Sequence, residues 1–237
     1  MSPDKHPLPG RSAGALRVLR TALSVLPDAP GIVVVYVVLA FVTGLSTTIG
    51  NLLSAAVLGF AITLAAGVLQ LDTEGEPSNS LGVRLLLAVI AAIVAGFVIL
   101  IGIVFLVLPG LYLAIRLRLV AASVMLEDSG PLEALSRSFE LTKGHTLTVF
   151  GVWAATTLLN VLVASVVVLA LLGGVPSLDS QAALQALQGA LSVGAAAGTL
   201  VSGPLIATSD AVLFGMYAGS ETTAQPTDPT ASVAERP

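Results

Sequence analysis

The chain has 237 residues, of which ten are Lys or Arg and 14 are Asp or Glu, and its net charge is −4. Charged residues make up 10% of the sequence and residues of the AVILMFWYC set make up 55%. An average soluble domain has about 25% charged residues, so this chain cannot give a globule of its size a water-soluble surface. The composition excludes an ordinary cytosolic enzyme, a disordered chain and a nucleic-acid binder. It predicts an all-α integral membrane protein.

The residue counts also exclude several kinds of site. The sequence has no Cys, so disulfides, thiol nucleophiles and iron–sulfur clusters are excluded, and its two His residues are too few for a His-rich metal site. The segment Gly10–Gly14 matches the G-x-S-x-G pattern of hydrolases, but no strand is predicted before it, as that elbow requires. We therefore expect no cofactor, no metal ion and no enzymatic activity.

Long uncharged runs predict six membrane spans. The first run has 43 residues and holds two spans, because one span needs about 20 residues, and its predicted turn is Gly50-Asn51. Pro109-Gly110 divides a later run, because Pro does not continue a helix and Gly permits a turn. The predicted spans are residues 31–48, 52–71, 81–108, 111–126, 146–172 and 191–217.

Two amphipathic helices are predicted beside the spans. The first lies within residues 11–26, where Arg17 and Arg20 flank a leucine face, as in helices that lie on a membrane surface. The second lies between spans four and five, within residues 131–143. The apolar faces are Leu16, Leu19, Leu23 and Leu26 in the first helix and Leu132, Leu135 and Phe139 in the second. The predicted regions are a tail and helix (1–28), the membrane domain (29–220) and a disordered tail (221–237).

The positions of the cations predict the orientation. With the N-terminus inside, the outer loops contain no Lys or Arg, and eight of the ten cations lie inside or at the inner boundary. This predicts a plasma-membrane protein with both termini in the cytoplasm. In a five-span alternative, residues 111–126 would lie along the outer surface, and Arg137 and Lys143 would be outside.

Charges at membrane depth are the candidates for a functional site. An Arg near the centre of a span costs about 2.5–3.5 kcal/mol on insertion scales. Arg116 and Asp210 are predicted about 16 and 15 Å from the inner ends of their helices, so we predict that they pair. Arg118 then needs another partner or a path to the interface, and Asn160 is a polar candidate. These arginines either form a structural ion pair or bind an anionic substrate or lipid headgroup.

Small residues recur in the last span at the spacing that lets helices approach closely. The two pairs are Gly194 with Gly198 and Gly215 with Gly219. They predict packing within the chain or a face for a homo-oligomer.

One segment resembles a known family. The resemblance rests on Pro109-Gly110-Leu111-Tyr112-Leu113, on Arg116, and on ALSRSFELTKGHTLTVFGVW, which includes Arg137, Ser138, Lys143 and Gly144. These residues resemble the membrane domain attached to some glycerophosphodiester phosphodiesterases and its stand-alone multi-pass relatives, above all those of archaea. The resemblance implies a six-helix fold. It carries over no catalytic residue, because the phosphodiesterase barrel is a separate domain.

Three functions are compatible with these features. The first is a non-enzymatic membrane protein that binds membrane lipids or a membrane-protein partner. The second is a small-solute transporter or permease that uses Arg116, Arg118 and Asp210 within the bundle. The third, an intramembrane enzyme, is the least favoured, because no set of nucleophile and base or of metal ligands is apparent.

Overall fold

The computed structural model describes residues 7–45, 47–71, 79–105, 107–173 and 180–218. These residues form nine α-helices, and no strand occurs among them. The helices are α1 (Ala15–Val25), α2 (Pro30–Leu45), α3 (Thr47–Leu69), α4 (Leu81–Phe105), α5 (Val107–Arg116), α6 (Val120–Glu127), α7 (Pro131–Leu141), α8 (Thr146–Leu172) and α9 (Gln181–Ala218). The predicted all-α class is confirmed.

Four segments are long and apolar enough to cross a membrane. They are Leu81–Val104, Leu108–Glu127, Thr146–Leu172 and Gln181–Ala218, and a fifth arises if the bent pair Ala15–Asp28 and Pro30–Thr43 counts as one span. Large apolar side chains on α4 and α8, among them Phe97 and Val166, are exposed as lipid contacts require. The chain therefore has helices of the length, and an exposed apolar surface of the kind, that a membrane protein requires.

The predicted turn at Gly50-Asn51 is wrong. Both residues lie inside α3, and α2 already ends at Leu45. Gly and Asn disfavour a helix by only about 1 kcal/mol relative to Ala, so the tertiary context overrides them.

The predicted turn at Pro109-Gly110 is also wrong. Pro109 is the third residue of α5, where a backbone N–H has no acceptor within the helix, so its absence costs nothing. Gly110 instead allows close contact with α4, since a Cβ there would lie 2.6 Å from the backbone nitrogen of Ile103. The two residues therefore open a helix that packs tightly on α4.

The predicted fourth span is interrupted. α5 ends at Arg116, residues Leu117–Leu119 form a turn, and α6 begins at Val120. The predicted fifth span has the same bounds as α8, and the predicted sixth lies within the longer α9.

The helices α1 and α7 pack on the bundle mainly through faces other than the apolar stripes that were predicted to lie on the membrane interface. Val18, Ala22 and Val25 of α1 are buried, whereas Leu16 is 84% exposed. In α7 the buried residues are Ala134, Ser138 and Leu141, and Leu132 is 75% exposed. The predicted stripes were assigned to the membrane interface, and the exposure of Leu16 and Leu132 leaves these side chains available for that contact. The interfacial position of both helices stays a prediction. The predicted tail 221–237 lies outside the described residues.

The second half of α9 lies at the centre of the fold. Nearly every residue from Ser202 to Tyr217 is buried, and α9 packs against α1, α2, α3 and α8. This placement brings Asp210 into the core, at 1% exposure.

Candidate functional site

The turn between α5 and α6 is stabilised mainly by one hydroxyl group of α7, and Thr142 Oγ1 adds a longer contact to the carbonyl of Arg116 (3.4 Å). Ser138 Oγ donates a hydrogen bond to the carbonyl of Arg116 (2.7 Å) and accepts one from the N–H of Leu119 (3.2 Å). A break in an apolar helix frees such backbone groups, and they are tolerated only when a neighbouring side chain satisfies them. Ser138 is thus the residue that permits the break.

Arg118, which lies within this turn, pairs with Asp210 of α9. Its Nε lies 2.6 Å from Oδ1 of Asp210, and the two side chains are only 7% and 2% exposed. The predicted pairing of Arg116 with Asp210 is therefore wrong. That prediction assumed an unbroken helix through residues 111–126, whereas the turn redirects the residues that follow Arg116.

Arg116 instead joins α5 to α7. Its Nε donates to the hydroxyl of Tyr112 (2.8 Å), and its Nη1 donates to the carbonyl of Phe139 (2.9 Å) and to Thr142 Oγ1 (3.3 Å). The guanidinium also lies 5.3 Å from the ring centre of Tyr112 and 5.6 Å from that of Phe139, within the range of cation–π attraction. Tyr112 and Arg116 thus form one unit.

The predicted polar residue Asn160 connects α8 to α9. Its Nδ2 donates to Ser202 Oγ (2.8 Å), and Ser202 in turn donates to the carbonyl of Gly198 (2.8 Å). A Cβ at Gly194 would lie 2.9 Å from the carbonyl oxygen of Ala164, so this glycine allows close packing against α8 within the chain.

The second predicted glycine pair has a different environment. A Cβ at Gly215 would meet the side chains of Leu71 and Leu8, so this position packs against the end of α3 and the N-terminal segment. Gly219 lies outside the described residues.

A second polar group joins the start of α4 to the end of α6. Asp128 accepts hydrogen bonds from the backbone and side-chain nitrogens of Asn79 (3.0 and 3.1 Å), and Arg84 Nε lies 3.9 Å from its Oδ1. Next to it, Arg137 of α7 pairs with Glu127, with Nη2 2.8 Å from Oε1. The role of Asp128 was not predicted from the sequence, although a polar residue directly after an apolar helix is typical of the end of that helix.

The end of α9 meets the start of α8 and the N-terminal segment. The rings of His145 and Tyr217 stack with centres 4.6 Å apart, and Arg11 Nη2 donates to the carbonyl of Tyr217 (3.0 Å). Lys143 is exposed and Gly144 has a φ of +82°, which suits a residue just beyond the end of α7.

All of these contacts except those of Asn160 and Gly194 lie toward one end of the bundle, which we call the polar end. It contains the ends of α3, α6 and α9, the starts of α4 and α8, the turn between α5 and α6, and the helices α1 and α7. Within the described part of the chain, no group of three or more His, Asp or Glu residues could hold a metal ion. The hydrogen-bond donors of the polar end are mainly guanidinium groups, which bind carboxylate and phosphate oxygens.

The family described as a domain of unknown function (DUF7847) matches residues 45–218. The chain belongs to this family. The matched range includes α4–α9, and hence Arg116, Arg118 and Asp210, whereas α1 lies before it. No curated protein and no solved structure matches the chain. The resemblance of residues 109–153 to the phosphodiesterase membrane domains stays a prediction.

Proposed function

We propose that this family member is a non-enzymatic plasma-membrane protein that crosses the membrane six times and binds anionic lipid at its polar end. The contacts within the polar end support six crossings. They place the ends of α3, α6 and α9 beside the starts of α4 and α8, so successive segments run in opposite directions, with α5 and α6 together as one crossing.

The observation that carries the lipid proposal is the orientation of α1. The segment Ala15–Asp28 makes an angle of 91° with Pro30–Thr43. If α2 crosses the membrane, α1 therefore lies in the membrane plane. Leu16 and Leu23 are exposed, and Arg17 and Arg20 are exposed without an ion pair to any described residue. A basic amphipathic helix in this position binds anionic lipid, at about 1 kcal/mol per Arg near a charged surface.

The distribution of cations supports a cytoplasmic position for the polar end. In the proposed topology the α2–α3, α4–α5 and α8–α9 connections lie on the other side of the membrane, and their sequences contain no Lys or Arg. Loops rich in Lys and Arg stay on the cytoplasmic side, so both termini would be in the cytoplasm.

Native mass spectrometry tests the lipid proposal. The detergent-purified protein is mixed with equal amounts of phosphatidylglycerol and phosphatidylcholine, and retained lipid is counted. We expect preferential retention of phosphatidylglycerol, a lower amount in Arg17→Gln/Arg20→Gln, and recovery in the control Arg17→Lys/Arg20→Lys, which keeps both charges. Equal retention of the two lipids by the unmodified protein would reject the proposal.

Cysteine labelling tests the orientation, because the chain has no Cys of its own. Ser136→Cys and Ser12→Cys introduce exposed thiols at the polar end, and Ser180→Cys introduces an exposed thiol directly before α9. We expect a membrane-impermeant maleimide to label only Ser180→Cys in intact cells. Labelling of Ser136→Cys without permeabilisation would contradict the orientation.

One observation favours the alternative, a small-solute permease. Arg118 lies in a break of a helix at the level of Asp210, and broken helices line the substrate sites of many transporters. The permease hypothesis predicts that the protein takes up inorganic phosphate or another small anion into proteoliposomes. It also predicts that Arg118→Met/Asp210→Leu abolishes this uptake. Uptake equal to that of protein-free liposomes would count against this alternative.

A further inference from the structure

The guanidinium of Arg116 has hydrogen-bonding capacity that the protein does not use. An Arg side chain has five N–H donors. Those on Nε and Nη1 reach Tyr112, Phe139 and Thr142. The two N–H groups of Nη2 have no hydrogen-bond partner among the described residues. Arg116 is half-buried, and its Nη2 is not enclosed, in contrast to Nη2 of Arg118.

The positive charge of Arg116 also lacks a carboxylate partner within the described part of the chain. Arg118 and Asp210 neutralise each other, and Glu127 and Glu140 both lie beside Arg137. The groups that hold Arg116 are a phenol, a carbonyl and a hydroxyl, all of them uncharged. An anion that reached Nη2 would therefore meet an uncompensated cation.

The depth of Arg116 fits the headgroup layer of a bilayer. Its Nη1 contacts Thr142, four residues before α8 begins at Thr146. With 27 residues, α8 is about 40 Å long, whereas the hydrocarbon core is about 30 Å thick. The first turn of α8, and with it Arg116, then lies among lipid headgroups, where phosphate is the abundant anion.

The guanidinium is also held in one orientation. The rings of Tyr112 and Phe139 lie near it, and three hydrogen bonds fix Nε and Nη1. A fixed guanidinium loses little conformational freedom when it binds, so more of the interaction energy contributes to affinity.

We propose that Nη2 of Arg116 binds a phosphate oxygen of an anionic phospholipid, in a site between α5 and α7. This site deepens the proposed function and rests on it. It differs from the α1 surface, because Arg17 and Arg20 attract negative lipids in general, whereas Arg116 contacts one headgroup. The shared chemistry is phosphate, which a lipid headgroup or free phosphate ion could supply.

The test is a lipid titration followed by native mass spectrometry and by thermal unfolding in detergent. Phosphatidylglycerol is added in one series and inorganic phosphate in another, to the unmodified protein, Arg116→Gln and Arg116→Lys. We expect phosphatidylglycerol to bind the unmodified protein about tenfold or more tightly than Arg116→Gln, since a charged hydrogen bond is lost. Arg116→Lys keeps the charge without the planar group and is expected to lie between them.

Three outcomes would each contradict a different part of the proposal: the Arg116 site, the proposed function or the choice of lipid as the ligand. If Arg116→Gln binds phosphatidylglycerol as the unmodified protein does, while Arg17→Gln/Arg20→Gln binds it less, the proposed function stands and the Arg116 site is rejected. If the unmodified protein shows no preference for phosphatidylglycerol, the proposed function itself fails. If inorganic phosphate raises the unfolding temperature as much as the lipid does, the ligand is free phosphate and the lipid assignment is wrong.

A second variant keeps the test decisive if Arg116→Gln does not fold. Tyr112→Phe keeps the ring beside the guanidinium and removes only the hydroxyl that accepts from Nε. A freed Nε–H lets the guanidinium rotate, so phosphatidylglycerol should bind a few-fold more weakly. Unchanged binding in this variant would count against a fixed Arg116 site.

Discussion

Arg116 and Arg118 are separated by one residue, yet they lie in opposite surroundings. Arg118 is enclosed in the core and pairs with the carboxylate of Asp210 at 2.6 Å. Arg116 is half-buried, is bound only by uncharged groups and has two unused donors on Nη2. The turn after Arg116 causes the difference, since it directs one guanidinium to α9 and the other to α7. One of these two charges therefore serves packing and the other, in our proposal, serves recognition.

The largest effect is expected for Asp210→Asn. This variant leaves Arg118 charged in the core without its carboxylate partner. Removing one partner of a buried ion pair lowers the free energy of unfolding by about 3–5 kcal/mol. The free energy of unfolding in detergent would be measured by circular dichroism. The control is Val161→Ala, on an exposed apolar side of α8. A loss no greater than that of the control would contradict a structural role for the pair.

The double variant Arg118→Met/Asp210→Leu sharpens this comparison. Apolar residues of similar volume often replace a buried ion pair without a loss of stability. We therefore expect the double variant to recover most of the stability that Asp210→Asn loses. Retention of phosphatidylglycerol, measured by native mass spectrometry, should stay unchanged because Arg116 is untouched. If retention falls while the protein remains folded, the two arginines do not have separate roles.

An intermediate effect is expected for Ser138→Ala. The substitution leaves the N–H of Leu119 without its hydrogen bond and leaves the carbonyl of Arg116 with only the longer contact from Thr142 Oγ1 (3.4 Å). We expect a loss of about 1–3 kcal/mol of stability. Ser136→Ala is the matched control, since Ser136 is exposed on the same helix. Unfolding in detergent would show a clear loss for Ser138→Ala only. Equal stability of the two variants would mean that the turn is stabilised by other contacts.

The smallest effect on stability is expected for Tyr112→Phe. It removes one hydrogen bond at the exposed side of Arg116 and keeps the cation–π contact, so we expect a loss of about 1 kcal/mol or less. The same unfolding measurement applies. A loss as large as that of Asp210→Asn would show that Arg116 contributes to the core as Arg118 does, and would remove the contrast between them.

Some parts of the site followed from the sequence because they depend on local composition. The uncharged run that starts at Thr146 predicted the bounds of α8, and the rarity of charge at depth singled out Arg116, Arg118 and Asp210. Other parts depend on distant residues. Ser138 lies 22 residues after Arg116, and Asp210 lies 92 residues after Arg118, so no local spacing could match these partners.

The sequence by itself determined the class of protein, the approximate position of its apolar helices and which charged residues lie within apolar segments. These follow from the cost of placing polar groups in lipid, which acts on each segment separately. The tertiary structure decided where α5 ends, which arginine pairs with Asp210 and which faces of α1 and α7 pack on the bundle. The break after Arg116 depends on a hydroxyl group from another helix. Beyond such a break, the geometry of a regular helix no longer predicts where a side chain such as that of Arg118 points.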